Sequence, residues 1–208
     1  KVRWLIRKTY KIKKIKVGHA GTLDPLATGL LIICTGKFTK RIEEFMGQEK
    51  EYTGTIVLGA TTPSYDLETE IDQTFSTEHL NDTLIKAATA QFNGAIQQQP
   101  PVFSALKKDG KRLYEFARAG EEVEIPSRTV EISEFEITRI ELPEVDFRVR
   151  CSKGTYIRSL AHDFGKALNS GGHLSALRRT KIGDFDVQDA TSLESFEAAL
   201  KQAETSNN

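Results

Sequence analysis

The sequence has little of what marks several common kinds of protein. Its two cysteines, Cys34 and Cys151, lie far apart. They form neither a disulfide framework nor a CxxC motif, and the expectation is a reducing compartment, the cytoplasm. The longest apolar run, LLIIC at residues 30–34, falls well short of the roughly 18 residues of a membrane span. No membrane attachment is expected, and the run suits one buried strand. Histidines are few and scattered (His19, His79, His162 and His173) with no HExxH spacing, so no metal site is expected. There is no GxxxxGK[ST] phosphate loop, because Lys37 lies too far beyond the glycines. Net charge is also missing, with 29 basic against 29 acidic residues, which argues against indiscriminate polyanion binding.

What is present points to an ordinary globular chain. At 208 residues and 38% apolar, it can bury a sizeable core. Its charge is segregated: residues 1–50 hold twelve basic and four acidic side chains, residues 51–100 one and seven. Residues 1–16 carry eight basic residues and no acidic one, with Val2, Leu5, Ile6, Ile12 and Ile15 at roughly helical spacing. They read as a basic amphipathic helix, either a solvated face or a surface for a polyanion. Residues 17–29 have the glycines and proline of a structured loop. A short helix is predicted over 38–46, a strand over 51–58, and a helix capped by Ser76 running to Phe92, with Gly94 stopping it. QQQPP at 97–101 reads as an extended connector, and 103–120 as a basic turn followed by a short helix. Alternation predicts strands over 128–140 and 145–151. A helix follows over 155–168, a last strand over 181–187, and a last helix over 192–203 capped by Ser192. With no repeat or linker dividing the chain, this order predicts one α+β domain with a mainly antiparallel sheet.

Two segments carry candidate chemistry. In GHAGTLDPLATG (residues 18–29), Asp24 sits between glycine turns just before an apolar run, a place where one carboxylate can be held rigidly in a cleft; Asp24-Pro25 can equally just start a turn. In CSKGTYIR (residues 151–158), a helix opens with Tyr156 and Arg158 in its first turn, suited to a carboxylate partner. Taken singly, Arg158 also fits a surface ion pair and Tyr156 a core position. Cys34 reads as an inert core thiol. One carboxylate, one arginine, several tyrosines and basic segments suit chemistry that needs no cofactor.

These residues resemble the tRNA pseudouridine synthase B family, relatives of the guide-RNA-dependent pseudouridine synthases. GHAGTLDPLATG is similar to the family's signature. Further blocks follow in the family's order: KEYTGTIVLGATTPSYDLETE, QQQPPVFSALKKDGKRLYEFARAGEEV, CSKGTYIRSLAHDFGKAL and GGHLSALRRTKIGDF. The resemblance implies the pseudouridine synthase fold, a mixed, mainly antiparallel sheet flanked by helices and loops. It implies isomerisation of uridine to pseudouridine in the T-loop of tRNA, at position 55. Residue by residue, it makes Asp24 the catalytic carboxylate, with Tyr52 and Arg158 completing the catalytic set. It places Tyr156, Leu177 and Arg179 in substrate binding, with Leu177 lining the base pocket, and gives His19 a part in extruding the target base. Pro63 and Ser64 stand where the family often has Asp and Thr, so from that block only Asp66 carries over, as part of the pocket surround. Lys107, Lys108 and Lys111 match a loop that closes over RNA in the family. The family's upstream strand with its Lys-Pro block and the C-terminal RNA-binding PUA domain of many relatives have no counterpart, so residues 1–208 are expected to form one catalytic domain.

The chemistry suits those assignments. The glycosidic bond breaks, uracil turns so that C5 replaces N1, and C5 loses its proton, with no redox or group transfer. No cofactor and no metal are therefore expected. Asp24 can attack ribose C1′ or take the C2′ proton, Arg158 would orient it, and Tyr52 offers the flipped uracil a flat face. Leaving the stack costs a few kcal/mol, which RNA contacts must offset. The expected partner is the T-arm stem-loop of tRNA, bound by a monomer with no obligatory protein partner. The alternative is a tRNA-binding folding chaperone with negligible turnover.

Overall fold

A computed structural model describes the chain apart from residues 105, 109, 114, 117–122 and 207–208, and describes only the backbone of 107, 108, 111, 112 and 204–206. Its centre is a seven-stranded sheet in the order β13-β12-β4-β11-β10-β7, with β2 added beside β12. The strands are β2 (Thr28–Gly29), β4 (Lys50–Leu58), β7 (Gly94–Gln98), β10 (Arg128–Glu141), β11 (Glu144–Cys151), β12 (Gly172–Ile182) and β13 (Phe185–Asp186), while β5 (Ala60–Thr61) and β6 (Gln73–Thr74) pair separately. All pairings are antiparallel except β2 with β12. The mixed, mainly antiparallel sheet is as the sequence predicts.

Strict alternation makes β10 and β11 legible. On β11, Val145, Phe147, Val149 and Cys151 are buried while the residues between them are partly exposed. Their inward face joins Phe92, Phe135 and Phe164 in a cluster of edge-on rings, the arrangement the ring quadrupole favours. Helix α4 (Ile157–Ala167) covers this face. It lies so close to β12 that a Cβ on Gly165 would come 2.3 Å from the Gly172 amide nitrogen. Asn169 ends α4 in the left-handed conformation; Ser170 N–H donates to Gly165 O and Asn169 N–H to Lys166 O, which is a Schellman cap.

Several elements depart from the sequence prediction. Helix α1 is only Val2–Thr9. A Schellman cap stops it, with Lys11 at φ 50° and Ile12 N–H donating to Arg7 O, and a lysine in the place usual for glycine gives no stop signal. The LLIIC run is not one buried strand: β3 is Ile33–Thr35, paired with β1 (Val17–His19). Leu31 and Ile33 are exposed because they line an apolar groove with Val2, Ile6, Phe196 and Leu200, between α1 and α5 (Leu193–Ser206). The predicted 38–46 helix is a 3-10 turn, Gly36–Arg41, followed by α2 (Ile42–Gly47). Helix α3 (Asp82–Ala88) starts later than predicted, because the Asn81 side chain rather than Ser76 accepts from the Leu84 amide. The last predicted strand, 181–187, is split between β12 and β13, so most of β12 went unrecognised.

Candidate active site

The 18–29 loop is clamped at both ends by β12. Gly29 lies at φ 102° and pairs with Arg179, so close that a Cβ there would sit 2.2 Å from Arg179 O. Only glycine fits this approach. Leu30 N–H donates to Arg179 O at 2.8 Å. The Arg179 side chain, 2% exposed, donates from Nε to Leu30 O at 2.8 Å and from Nη2 to Gly21 O at 3.1 Å. One buried guanidinium thus satisfies backbone acceptors on both sides of Asp24. Arg179, expected as a substrate-binding residue, is committed to bracing the loop.

Asp24 faces Arg158 on the first turn of α4. Arg158 Nε donates to Asp24 Oδ2 and Nη2 to Asp24 Oδ1, each at 2.9 Å, a bidentate fork. Nη1 is held by Phe103 O at 2.9 Å and Ser64 O at 3.2 Å. The Asp66 carboxylate stands 3.7 Å from Nε. Arg158 is therefore neither a surface ion pair nor free to turn, being 3% exposed, whereas the Asp24 side chain is 33% exposed and available to a ligand. The start of α4 is fixed by the 97–101 segment: Tyr156 N–H donates to Gln98 Oε1, Gln98 Nε2 to Tyr156 O, and Ser159 Oγ to Gln99 O.

Asp24, Asp66 and Arg158 open onto a cavity whose remaining walls are Leu26, Ala27 and the 174–177 stretch of β12. Leu177 is thus in the wall of this cavity. Tyr52 on β4 lies opposite Arg179. Burial pushes its hydroxyl above the ordinary tyrosine range, offset by hydrogen bonding to and the charge of Arg179, while the Asp24 charge raises it further. Tyr52 is therefore a neutral phenol at neutral pH. Tyr52 is not itself among the cavity walls; these join an aimed carboxylate to apolar side chains, which suits a flat, uncharged ring with a sugar carbon near Asp24. Cys151 is 1% exposed, and burial pushes its thiol up to about 11, so it supplies no nucleophile. Among the described residues no group of His, Cys, Asp or Glu could hold a metal ion.

Other expected residues sit elsewhere. His19 is exposed on β1 and is not among the cavity walls. The Tyr156 ring lies under Arg128, 4.7 Å from centroid to guanidinium carbon. Lys107, Lys108 and Lys111 belong to a hairpin of β8 (Lys107–Lys108) and β9 (Lys111–Arg112), and their side chains lie outside the described residues. Sequence reasoning missed the Ser64 and Phe103 carbonyls, which carry no side-chain signal. It also missed Leu26, whose position two residues beyond Asp24 was the available clue.

The chain is similar to known proteins over nearly its whole length. The model for the TruB family pseudouridylate synthase N-terminal domain matches residues 7–157, and that for the tRNA pseudouridylate synthase B C-terminal domain matches 158–208. The tRNA pseudouridine synthase B of Flavobacterium johnsoniae is 70% identical over 197 residues, covering 95% of this chain and 86% of the relative. That of Phocaeicola vulgatus is 58% identical over 204 residues, covering 98% and 87%. Among solved structures, a Cbf5-Nop10-Gar1 complex aligns with TM-score 0.70 and 30% identity over 95% of this chain and 49% of that one. An H/ACA RNP bound to a substrate RNA containing 2'-deoxyuridine aligns with TM-score 0.70 and 26% identity over 100% and 50%. This chain spans about half the length of those two chains. The junction of the two family models falls between Ile157 and Arg158, so the Arg158–Asp24 pair joins what both describe: the chain belongs to the TruB family of tRNA pseudouridine synthases, isomerases that convert uridine to pseudouridine in tRNA.

Proposed function

We propose that the chain isomerises the T-loop uridine of tRNA at position 55, with Asp24 as the catalytic carboxylate. The observation that carries this reading is the bidentate Arg158–Asp24 pair at 2.9 Å, with Asp24 one-third exposed toward a largely apolar cavity. Arg158, gripped by two carbonyls as well, keeps the carboxylate aimed while the reacting sugar carbon changes partners, which is the pre-organisation that lowers a barrier. Asp24 attacks C1′ or removes the C2′ proton, and the freed uracil turns between Leu177, Leu26 and the Tyr52 face. Tyr52, a neutral phenol, serves as a stacking surface and hydroxyl donor rather than as an ionised base. Atoms and electrons balance within the nucleoside, so the step draws on no cofactor.

The RNA reaches this cavity from the basic parts of the chain. Residues 1–16 and the Lys107, Lys108 and Lys111 hairpin contact phosphates of the T-arm stem-loop. His19 assists base extrusion, Asp66 and Leu177 surround the base, and Tyr156 and Arg179 support the substrate site from behind. The Asp24–Arg158 pair is built within the chain, and in this reading the protein acts as a monomer without an obligatory protein partner. Because β4 and β12 are neighbours in one sheet, residues 1–208 work as one catalytic unit. A tRNA substrate and two buried free cysteines fit the cytoplasm.

The test is to incubate the protein with a T-arm stem-loop and map pseudouridine by carbodiimide adducts and primer extension. A single modified base at the T-loop uridine is expected. Modification elsewhere in the loop overturns the positional assignment. Accelerated tRNA folding without any pseudouridine supports the chaperone alternative.

A further inference from the structure

Arg158 is gripped on one side by a turn that the catalytic assignments leave unexplained. Residues 62–66 fold back on themselves: Tyr65 N–H donates to Thr62 O, Thr62 Oγ1 donates to Asp66 O at 2.6 Å, and Ser64 Oγ donates to the same oxygen at 3.2 Å. Thr69 Oγ1 accepts from Ser64 N–H and pairs with Ser64 Oγ at 2.8 Å. Leu174 N–H on β12 donates to Tyr65 O at 2.9 Å. The turn holds Ser64 O and the Asp66 carboxylate toward Arg158, and its apex residue, Tyr65, lies at φ 64°. A bulky side chain rarely occupies that left-handed region, so something must compensate.

The compensation is a ring stack. Tyr65 lies on His162 with centroids 4.0 Å apart and planes 17° from parallel. His162 is one helical turn beyond Arg158 on α4, on the same side of the helix. Among the described residues its buried Nδ1 has no hydrogen-bond partner, so that atom does not anchor the ring and the stack on Tyr65 holds this face. The stack therefore ties the apex of the turn to the helix that carries Arg158, next to the point where that side chain leaves it.

Resting on the reading of Asp24 and Arg158 above, we propose that Tyr65 is a positioning residue for the isomerisation: stacked on His162, it locks the 62–66 turn so that Ser64 O and Asp66 hold Arg158 in the rotamer that aims Asp24. Neither aromatic is among the residues that line the Asp24 cavity, so Tyr65 acts through Arg158 and not on the substrate.

The test uses Tyr65→Gly, Tyr65→Phe, His162→Ala and His162→Phe in the full chain, read by kcat and KM for tritium release from a C5-labelled T-arm stem-loop. Glycine accepts φ 64° without strain, so Tyr65→Gly leaves the backbone able to form the turn and the fold while removing the ring that locks it. Its kcat should fall at least tenfold with KM within twofold. His162→Ala should do the same without adding to it, and the two Phe variants, which keep a stack, should stay within threefold of the parent. Arginine-selective 15N NMR gives a second readout that does not depend on turnover. Hydrogen exchange at Arg158 Nε should be at least tenfold faster in Tyr65→Gly and unchanged in Tyr65→Phe. Parent-like kcat and parent-like Nε exchange in Tyr65→Gly overturn the proposal, as does a loss confined to KM. An Asp24→Asn control separates the two claims. If it stays active, the catalytic reading fails; if it is inactive while Tyr65→Gly behaves as the parent, only the positioning role fails.

Discussion

Replacing Arg158 by methionine, which keeps the length of the stem and removes the fork, should cost the fold more than replacing Asp24 by asparagine. Arg158→Met removes four hydrogen bonds: two to Asp24, one to Ser64 O and one to Phe103 O. Asp24 is one-third exposed and recovers water, but the Asp66 carboxylate is 7% exposed and, among the described residues, retains the Glu68 amide at 3.0 Å. Orphaning one member of a buried ion pair costs about 3–5 kcal/mol. For a chain of this size that lowers Tm by roughly 10 °C or more. Asp24→Asn leaves Arg158 with Asp66 and both carbonyls, so about 1 kcal/mol is expected. The two changes share a partner, and the double variant should cost less than their sum by about 1–3 kcal/mol. Urea unfolding of the three variants measures these values, with unchanged m-values confirming that the same transition is compared. Equal costs for the two single variants, or strict additivity in the double variant, would refute the geometry on which the site rests.

Three further outcomes follow from other parts of the molecule. Gly29→Ala sets a Cβ 2.2 Å from Arg179 O at a φ of 102°, so a loss of about 2–4 kcal/mol and a kcat drop of at least tenfold are expected; a fully stable, active Ala variant would contradict the close approach. Burial raises the Asp163 carboxyl from its ordinary range to about 6. The folded state then binds protons more readily than the unfolded one between about pH 4 and 6, and stability falls as pH rises through that window. Asp163→Asn should stabilise the protein by about 1–2 kcal/mol at pH 8 after allowance for partial solvent contact, with the gain gone at pH 4, as thermal unfolding across pH will show. Replacing Lys107, Lys108 and Lys111 with glutamine should reduce the salt slope of RNA binding by about 2 while the fold survives, and an unchanged slope in filter-binding titrations would remove phosphates as their partners.

How much of this could be read from the sequence depended on whether the signal was local. The antiparallel strands β10 and β11 alternate cleanly, and α4 carries its apolar stripe, so both were legible. The Asp24 loop was visible because glycines bracket a lone carboxylate before an apolar run. Strand β12 was largely missed although it carries Leu177 and Arg179: bulges between Leu174 and Ala176 and between Arg179 and Lys181 break its period of two. The end of α1 was missed because Lys11 takes a position where glycine is the usual signal. The bracing role of Arg179 was hidden for a different reason. Its acceptors are the carbonyls of Gly21 and Leu30, some 150 residues away, and nothing about a backbone oxygen is written in side-chain identity. The same holds for Ser64 O and Phe103 O at Arg158. Segregated charge suggested a polyanion-facing side without saying which groups meet it.

The proposed mechanism gives Asp24 the chemistry and leaves the rest of the site to hold it and the RNA in place. The most direct measurement is tritium release from C5-labelled uridine in a T-arm stem-loop by the parent protein and by Asp24→Asn, with RNA affinity measured on the same samples. Release by the parent is expected, with a fall of at least about a thousandfold in Asp24→Asn, a loss on the scale of removing a covalent or acid–base group, and RNA binding within a few-fold of the parent. Release by Asp24→Asn at a rate close to the parent's would contradict that mechanism.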